Sequence, residues 1–247
     1  LSLEAVSLVT FAPIIGSFLG VVVHRLPAGR PVVWARSRCD ACHVILGGRD
    51  LLPVVSWLAA RGRCRRCGNP LGWFYPAIEI AALAVASIAL AVDGLPFAWL
   101  DSFLGWWLLT LGWIDLRNWV LPDVLTLPLI VAGLAAAAWF DPASLTDRAA
   151  GAALGYLLLR GVAAVYRRLR GRDGLGGGDA KLLAASGAWL GIIGVPQVIF
   201  GAALLGLAAA AVARLGGTGL RPHSAIPFGP FIAFVTWILW LYGPLTL

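Results

Sequence analysis

Four cysteines and a handful of acids are the residues of this 247-residue chain whose types and spacing could do chemistry. The cysteines form two pairs, Cys39-Asp40-Ala41-Cys42 and Cys64-Arg65-Arg66-Cys67, with 21 residues between them. A C-x2-C turn can point both sulfurs at one ion, and two such turns complete a tetrahedral thiolate shell for zinc. Two disulfides or four free thiols are the alternatives. Neighbouring arginines favour the thiolate form. A segment of roughly 50 residues has little core of its own, so a structural metal would supply much of its folding energy. His43 follows Cys42 directly but adds nothing to a shell that four sulfurs fill.

Among the acids, Asp179 ends the run Gly174-Leu175-Gly176-Gly177-Gly178-Asp179-Ala180-Lys181, where three glycines lead into an apolar helix-like segment. Asp115 closes an earlier apolar segment, within Gly112-Trp113-Ile114-Asp115-Leu116-Arg117-Asn118-Trp119-Val120-Leu121-Pro122-Asp123. Two carboxylates at one depth could share a proton and activate a water, one as base and one as acid, titrating as a unit. Acids at helix ends also serve as caps. Asp123 fits that role, Asp179 could share it, and Asp115 could pair with Arg117 or Arg172. Spacing alone leaves both readings open. Glu79 is expected at the inner end of its helix, compensating the dipole of the first turn, and Asp101 in the outer half of its span, wetted.

The elements that must position these groups are membrane helices. The chain is 60% hydrophobic and 13% charged, with a mean hydropathy of +0.86, whereas a soluble domain carries about a quarter charged residues. Apolar runs predict about eight spans, over residues 4–25, 76–92, 96–114, 124–140, 148–166, 180–194, 196–213 and 227–244. No basic n-region precedes the first, so a cleaved signal peptide is not expected. The nineteen basic residues are all arginine but for Lys181. Arg30, Arg36, Arg38, Arg49, Arg61, Arg63, Arg65 and Arg66 crowd the first loop. Arg117, Arg167, Arg168, Arg170, Arg172, Lys181, Arg214 and Arg221 fall on the same side, Arg148 on the other. The positive-inside rule then makes loop 1 cytoplasmic and reducing, with both termini outside. It also sets Asp115 and Asp179 at the same depth on the inner face. The arginines orient the chain and touch anionic lipid, and nucleic acid is not an expected partner. Trp237, Trp240 and Tyr242 read as a lipid-facing aromatic belt.

Six stretches in order resemble the bacterial type IV prepilin peptidases. They are Gly16-Ser17-Phe18-Leu19-Gly20-Val21-Val22-Val23-His24-Arg25-Leu26-Pro27, the two cysteine pairs with Leu52 to Leu58 and Arg61 to Cys64 between and at them, Tyr75-Pro76-Ala77-Ile78-Glu79, Ile114-Asp115 through Asp123, the Gly-x-Gly-Asp element at Gly176 to Asp179, and Pro227-Phe228-Gly229-Pro230-Phe231. The resemblance implies an intramembrane aspartyl protease of pilus or type II secretion systems whose dyad is Asp115 and Asp179. Gly176, Gly177 and Gly178 would give the substrate a backbone edge. The implied substrate is a prepilin or pseudopilin with a basic leader and an apolar N-terminal helix, cut at the cytoplasmic face of the inner membrane. The implied second step is methylation of the new N-terminus from S-adenosylmethionine; no glycine-rich nucleotide loop marks its site in the sequence, and Glu79 and loop 1 are taken only as candidates for it. Gly20 stands where the family typically carries Asn, a departure that bears on methyl transfer.

The expected architecture is an all-α polytopic membrane protein of about eight helices with a small cytoplasmic zinc-binding loop domain between the first two. Helix 1 spans 1–25, the four-cysteine loop 26–75, and a seven-helix protease domain 76–247. A proton-coupled transporter using Asp115 and Asp179, or a non-catalytic zinc-loop assembly protein, are the competing readings. The first does not need the cysteines, and the second leaves the triple glycine unexplained.

Overall fold

The computed structural model describes residues 2–171, 176–216 and 226–245. Gly174 and Leu175 of the glycine run, with Arg172 and Arg221, lie outside the described residues. The described chain is helical, in the order α1 (Leu3–Arg25), α2 (Val55–Ala59), α3 (Phe74–Val92), α4 (Ala98–Asn118), α5 (Asp123–Phe140), α6 (Leu145–Arg170), α7 (Gly177–Leu215) and α8 (Gly229–Tyr242). Among the described residues there is no sheet, only isolated bridges in the loop after α1. By length and composition five helices (α1, α3, α5, α6 and α7) can cross a membrane, so this is a multi-pass membrane protein. Helix α4 carries Asp101 in its first turn and Arg117 in its last, and α8 is apolar but only 14 residues long.

Two compact units divide the chain, one ending at Trp106 and the other beginning at Trp107, within α4. In the first, α1 packs on α3 through small residues. A Cβ at Gly16 would lie 2.7 Å from the Glu79 Cα, and one at Gly20 3.0 Å from the Tyr75 ring. Such contacts let two backbones approach where lipid supplies no hydrophobic drive. Trp106 Nε1–H donates to the Ala82 carbonyl at 2.9 Å. Asp101 is only 2% exposed, not wetted as expected: its place on α4 faces protein.

In the second unit α6 and α7 form the most extensive helix pair. Gly151 and Gly155 of α6 meet Leu183, Gly187 and Gly191 of α7, and a Cβ on any of the four glycines would run into the opposite helix. Helix α7 covers both the sixth and seventh predicted spans in 39 residues, but it is broken at Gly191, with φ 77° and ψ −173°. The expected boundary was the gap before Pro196. A proline ring clashes with the carbonyl four residues earlier, here Ile192, so the distortion falls one turn upstream. Gly191 absorbs it in a conformation that glycine alone tolerates. Trp240 is likewise no plain lipid belt. Its ring stacks edge-on with Trp189 at 5.1 Å, and Trp237 is buried, whereas Tyr242 is exposed as expected.

Replacing Gly155 by Val drives a side chain into the Leu183 carbonyl, and overpacking of this kind costs about 1–3 kcal/mol. Gly161, on the same helix, has open space around it. Thermal unfolding in detergent is expected to fall for Gly155→Val and to hold or rise for Gly161→Ala.

Candidate active site and metal centre

The four cysteine sulfurs converge in the first unit, all within 4.8 Å of one another, and could hold a metal ion. Cys39 and Cys64 are buried, Cys42 and Cys67 exposed. Two equivalent turns build the cluster. The His43 N–H donates to the Cys39 carbonyl (2.9 Å) and the Cys39 N–H to the Val44 carbonyl (3.0 Å). Gly68 and Asn69 repeat this around Cys64 at 2.9 and 2.8 Å. A bridge closes each turn, Arg38 to Ile45 and Arg63 to Pro70. His43 therefore stands where the second turn has Gly68, and both have positive φ, 54° and 71°. It shapes the backbone, a role that spacing alone could not reveal. The backbone N–H groups of Cys67 and Arg66 hold the Cys64 thiol down to about 6. For Cys67 the Asn69 N–H acts in the same direction, but partial desolvation and the neighbouring thiols outweigh it and push the value up to about 11. Four sulfurs this close cannot all carry charge without a cation among them.

Beside the cysteines lies a cavity of about 1140 Å³, lined by Ser17, Trp34, Trp57, Tyr75, Glu79 and several loop arginines. Glu79 is 5% exposed. Its Oε2 accepts the Val54 N–H at 2.7 Å, and Ser17 is a second partner. Val54 has φ 58°, so the carboxylate fixes a turn whose amide faces away from regular structure. Glu79 thus does more than compensate a helix dipole. Tyr75 occupies the space beside Gly20, where a longer side chain would displace the ring.

The two aspartates belong to the second unit. Asp115, 6% exposed, sits in the last turn of α4, and its Oδ2 accepts the Gly229 N–H at 3.0 Å. Gly229 is the first residue of α8, followed by Pro230. The donor is one of the amides a helix start leaves unpaired, and a Cβ at Gly229 would lie 2.7 Å from that oxygen. Asp179, half-buried in the first turn of α7, takes the Gly176 backbone N–H and feels the Asp115 charge. The structure therefore makes the two carboxylates electrostatic neighbours, and Asp179 is also a cap.

The glycines sort by position. Gly177 and Gly178 lie in the first turn of α7, and Gly176 precedes it with extended backbone, φ −68° and ψ 140°. A Cβ at Gly178 would meet the Leu121 Cβ at 2.8 Å, so its bareness admits the turn after α4. Gly176 and Gly177 are exposed. Lys181 Nζ pairs with Asp123 Oδ1 at 2.5 Å, tying the starts of α5 and α7. Asp123 opens α5 as expected. The Gly229 amide and the Lys181 pair were not predicted as site elements. The Gly-Pro pair at a helix start was the available signal for the first.

Two family models match most of the chain: the Bacterial Peptidase A24 N-terminal domain over residues 10–92 and the Type IV leader peptidase family over 102–211. The chain belongs to the type IV leader peptidase family. Among its relatives is a Burkholderia pseudomallei (strain 1026b) protein named prepilin leader peptidase/N-methyltransferase, 42% identical over 246 residues, covering 89% of this chain and 79% of that one. Proteins of the same name from Aeromonas hydrophila (37% identical; 94% of this chain, 89% of the other) and Dickeya chrysanthemi (38%; 89% and 86%) are also similar. No solved structure matches. The chain is thereby an enzyme of a protease family, and the resemblance drawn from its motifs holds.

Elemental analysis of the purified protein is expected to find one bound metal ion per chain. Because a non-glycine residue in the left-handed region costs about 1 kcal/mol, His43→Gly should release that metal only at higher denaturant concentration.

Proposed function

We propose that this family member removes the basic leader from type IV prepilins or pseudopilins and methylates the new N-terminus. The observation that supports the proteolytic half is the electrostatic proximity of Asp115, in the last turn of α4, to Asp179, in the first turn of α7. The Gly229 backbone amide holds Asp115 through Oδ2. In the reaction one carboxylate, ionised, takes a proton from water, and its protonated partner donates to the scissile carbonyl. The exposed backbone at Gly176 and Gly177 gives an extended substrate segment an edge to approach, and the Lys181–Asp123 pair steadies the turn beneath it. The arginine asymmetry supports a cytoplasmic loop 1 and termini on the periplasmic side of the inner membrane. The cut would then fall where the leader meets its apolar helix. Neither proton-coupled transport nor a purely structural assembly role finds support among the relatives.

The loop between α1 and α3 is read as a small domain folded on structural zinc. Tetrahedral Zn–S bonds of about 2.3 Å set sulfurs about 3.8 Å apart, and Cys39 Sγ lies 3.8 Å from Cys67 Sγ. Cys39, Cys42, Cys64 and Cys67 would hold the ion, and their backbone turns already aim all four inward.

S-adenosylmethionine, when bound, supplies a methyl group on a sulfonium cation. The cavity beside the cysteines fits it, being larger than the roughly 300–1,000 Å³ of ordinary ligand sites and lined by groups of matching chemistry. The loop arginines suit the carboxylate. Trp34, Trp57 and Tyr75 offer aromatic faces to adenine or to the cation. Glu79 supplies the one deeply buried negative charge of that wall. Gly20, with Tyr75 against it, leaves the wall aromatic where the family's Asn would make it polar.

Incubation with a prepilin, read by mass spectrometry, is expected to show leader loss and an added methyl. Asp115→Asn and Asp179→Asn should each abolish cleavage while Asp123→Asn retains it, and cleavage surviving either of the first two sinks the dyad. Glu79→Gln should weaken S-adenosylmethionine binding in equilibrium dialysis about tenfold, or ~1.4 kcal/mol, with cleavage intact. Unchanged binding would remove Glu79 from the site.

A further inference from the structure

The break at Gly191 falls between the Trp189 carbonyl and the amide four residues on, and a charged side chain donates to that carbonyl. Trp189, two residues before Gly191, would ordinarily offer its carbonyl to the amide four residues on. Here Arg148 Nη1 donates to the Trp189 carbonyl at 2.8 Å. Its Nε donates to Ser144 Oγ at 3.1 Å, and the guanidinium lies 5.6 Å from the centre of the Trp240 ring. The carboxylate of Asp147, next in sequence, fills the space that a Cβ at Gly191 would take. Trp189 is pinned from the other side as well. Its Nε1–H donates to the Leu129 carbonyl at 3.0 Å, and its ring lies against Gly133 of α5.

We infer that Arg148 is a positioning residue for Asp179, acting through the first half of α7 as the cap of its broken end; this rests on the reading of Asp115 and Asp179 as the dyad. The half-helix Gly177–Leu190 carries Asp179 in its first turn and ends at the carbonyl that Arg148 holds. Ten residues separate Asp179 from Trp189, about 15 Å of helix. Glycine contacts with α6 allow this half-helix to come close, but they are smooth and leave it free to slide or rotate. A directional hydrogen bond from a fork with a second anchor at Ser144 does not. The charge also suits the place, since a cation at a helix C-terminus offsets the dipole. The break gives α7 such a terminus inside the protein, with Asp179 at the opposite pole. In the plain reading of arginine distribution Arg148 is an exception to the inward bias, and the capped carbonyl accounts for it.

The test is steady-state cleavage of a prepilin by the full-length protein in detergent, with hydrogen exchange followed at residues 190–194. Arg148→Gln is expected to lower kcat about tenfold or more, since small misplacements of a catalytic group cost that much. KM should stay within about twofold, because substrate contacts are untouched. Arg148→Lys, which keeps one charged donor, should recover most of kcat, and exchange near Gly191 should quicken in Arg148→Gln. Folded Arg148→Gln with unchanged kcat, or a loss that Lys does not relieve, overturns the proposal. Should Arg148→Gln fail to fold, Ser144→Ala keeps the charge but frees the fork. It should lower kcat less and without loss of thermal stability, and an unchanged kcat there overturns the proposal equally. Asp179→Asn run alongside separates the two readings: if it still cleaves, the dyad is wrong whatever Arg148 does, and the exchange result still judges the cap.

Discussion

Lipid offers no hydrogen bonds, so every backbone group freed by a break or start of a helix needs a partner within the protein. Among the described residues, charged side chains meet this need at helix starts and at the break. Asp115 takes the Gly229 amide at the start of α8, Asp179 takes the Gly176 amide ahead of α7, and Arg148 takes the Trp189 carbonyl at the break in α7. Each charge is costly in a membrane interior, and each is retained where it fixes irregular backbone. Two of the three are groups to which catalysis or binding is assigned above. On the proposed reading, the structural demand and the chemical one fall on the same residues.

Close helix approach is the second recurring device. Gly16 and Gly20 bring α1 onto α3 beside Glu79, and Gly151, Gly155 and Gly187 bring α6 onto α7. Gly178 does the same for the turn that follows α4. At Gly16 the close approach is to the backbone of Glu79 itself, and at Gly178 it is next to Asp179. The three glycines before Asp179 are therefore not one flexible strap. Gly178 is a packing residue, and the two ahead of it are open backbone.

The metal loop follows a different logic. It lacks an apolar core, and its order comes from two copies of one turn whose carbonyls and amides are satisfied locally. Sulfur convergence is the consequence of that repetition, with His43 and Gly68 in equivalent left-handed positions. A cation among the thiols would remove their mutual repulsion and join the two turns.

Hydropathy and charge, read along the chain, were enough to show a multi-pass helical membrane protein, the cysteine loop between its first two spans, and the acids at span ends. The ordered motifs were enough for the family. These are local properties: span length, side bias and C-x2-C spacing need no knowledge of neighbours. What the tertiary structure decided concerns partners. That α7 breaks at Gly191 and not before Pro196, that Arg148 caps it, that Asp101 and Trp237 are buried, and that Gly229 holds Asp115 all depend on which helix lies alongside. A uniformly apolar segment shows almost no face in its sequence, because lipid and protein interior are equally oily. Position along each helix was therefore legible in the residues, and the facing of each side chain was not.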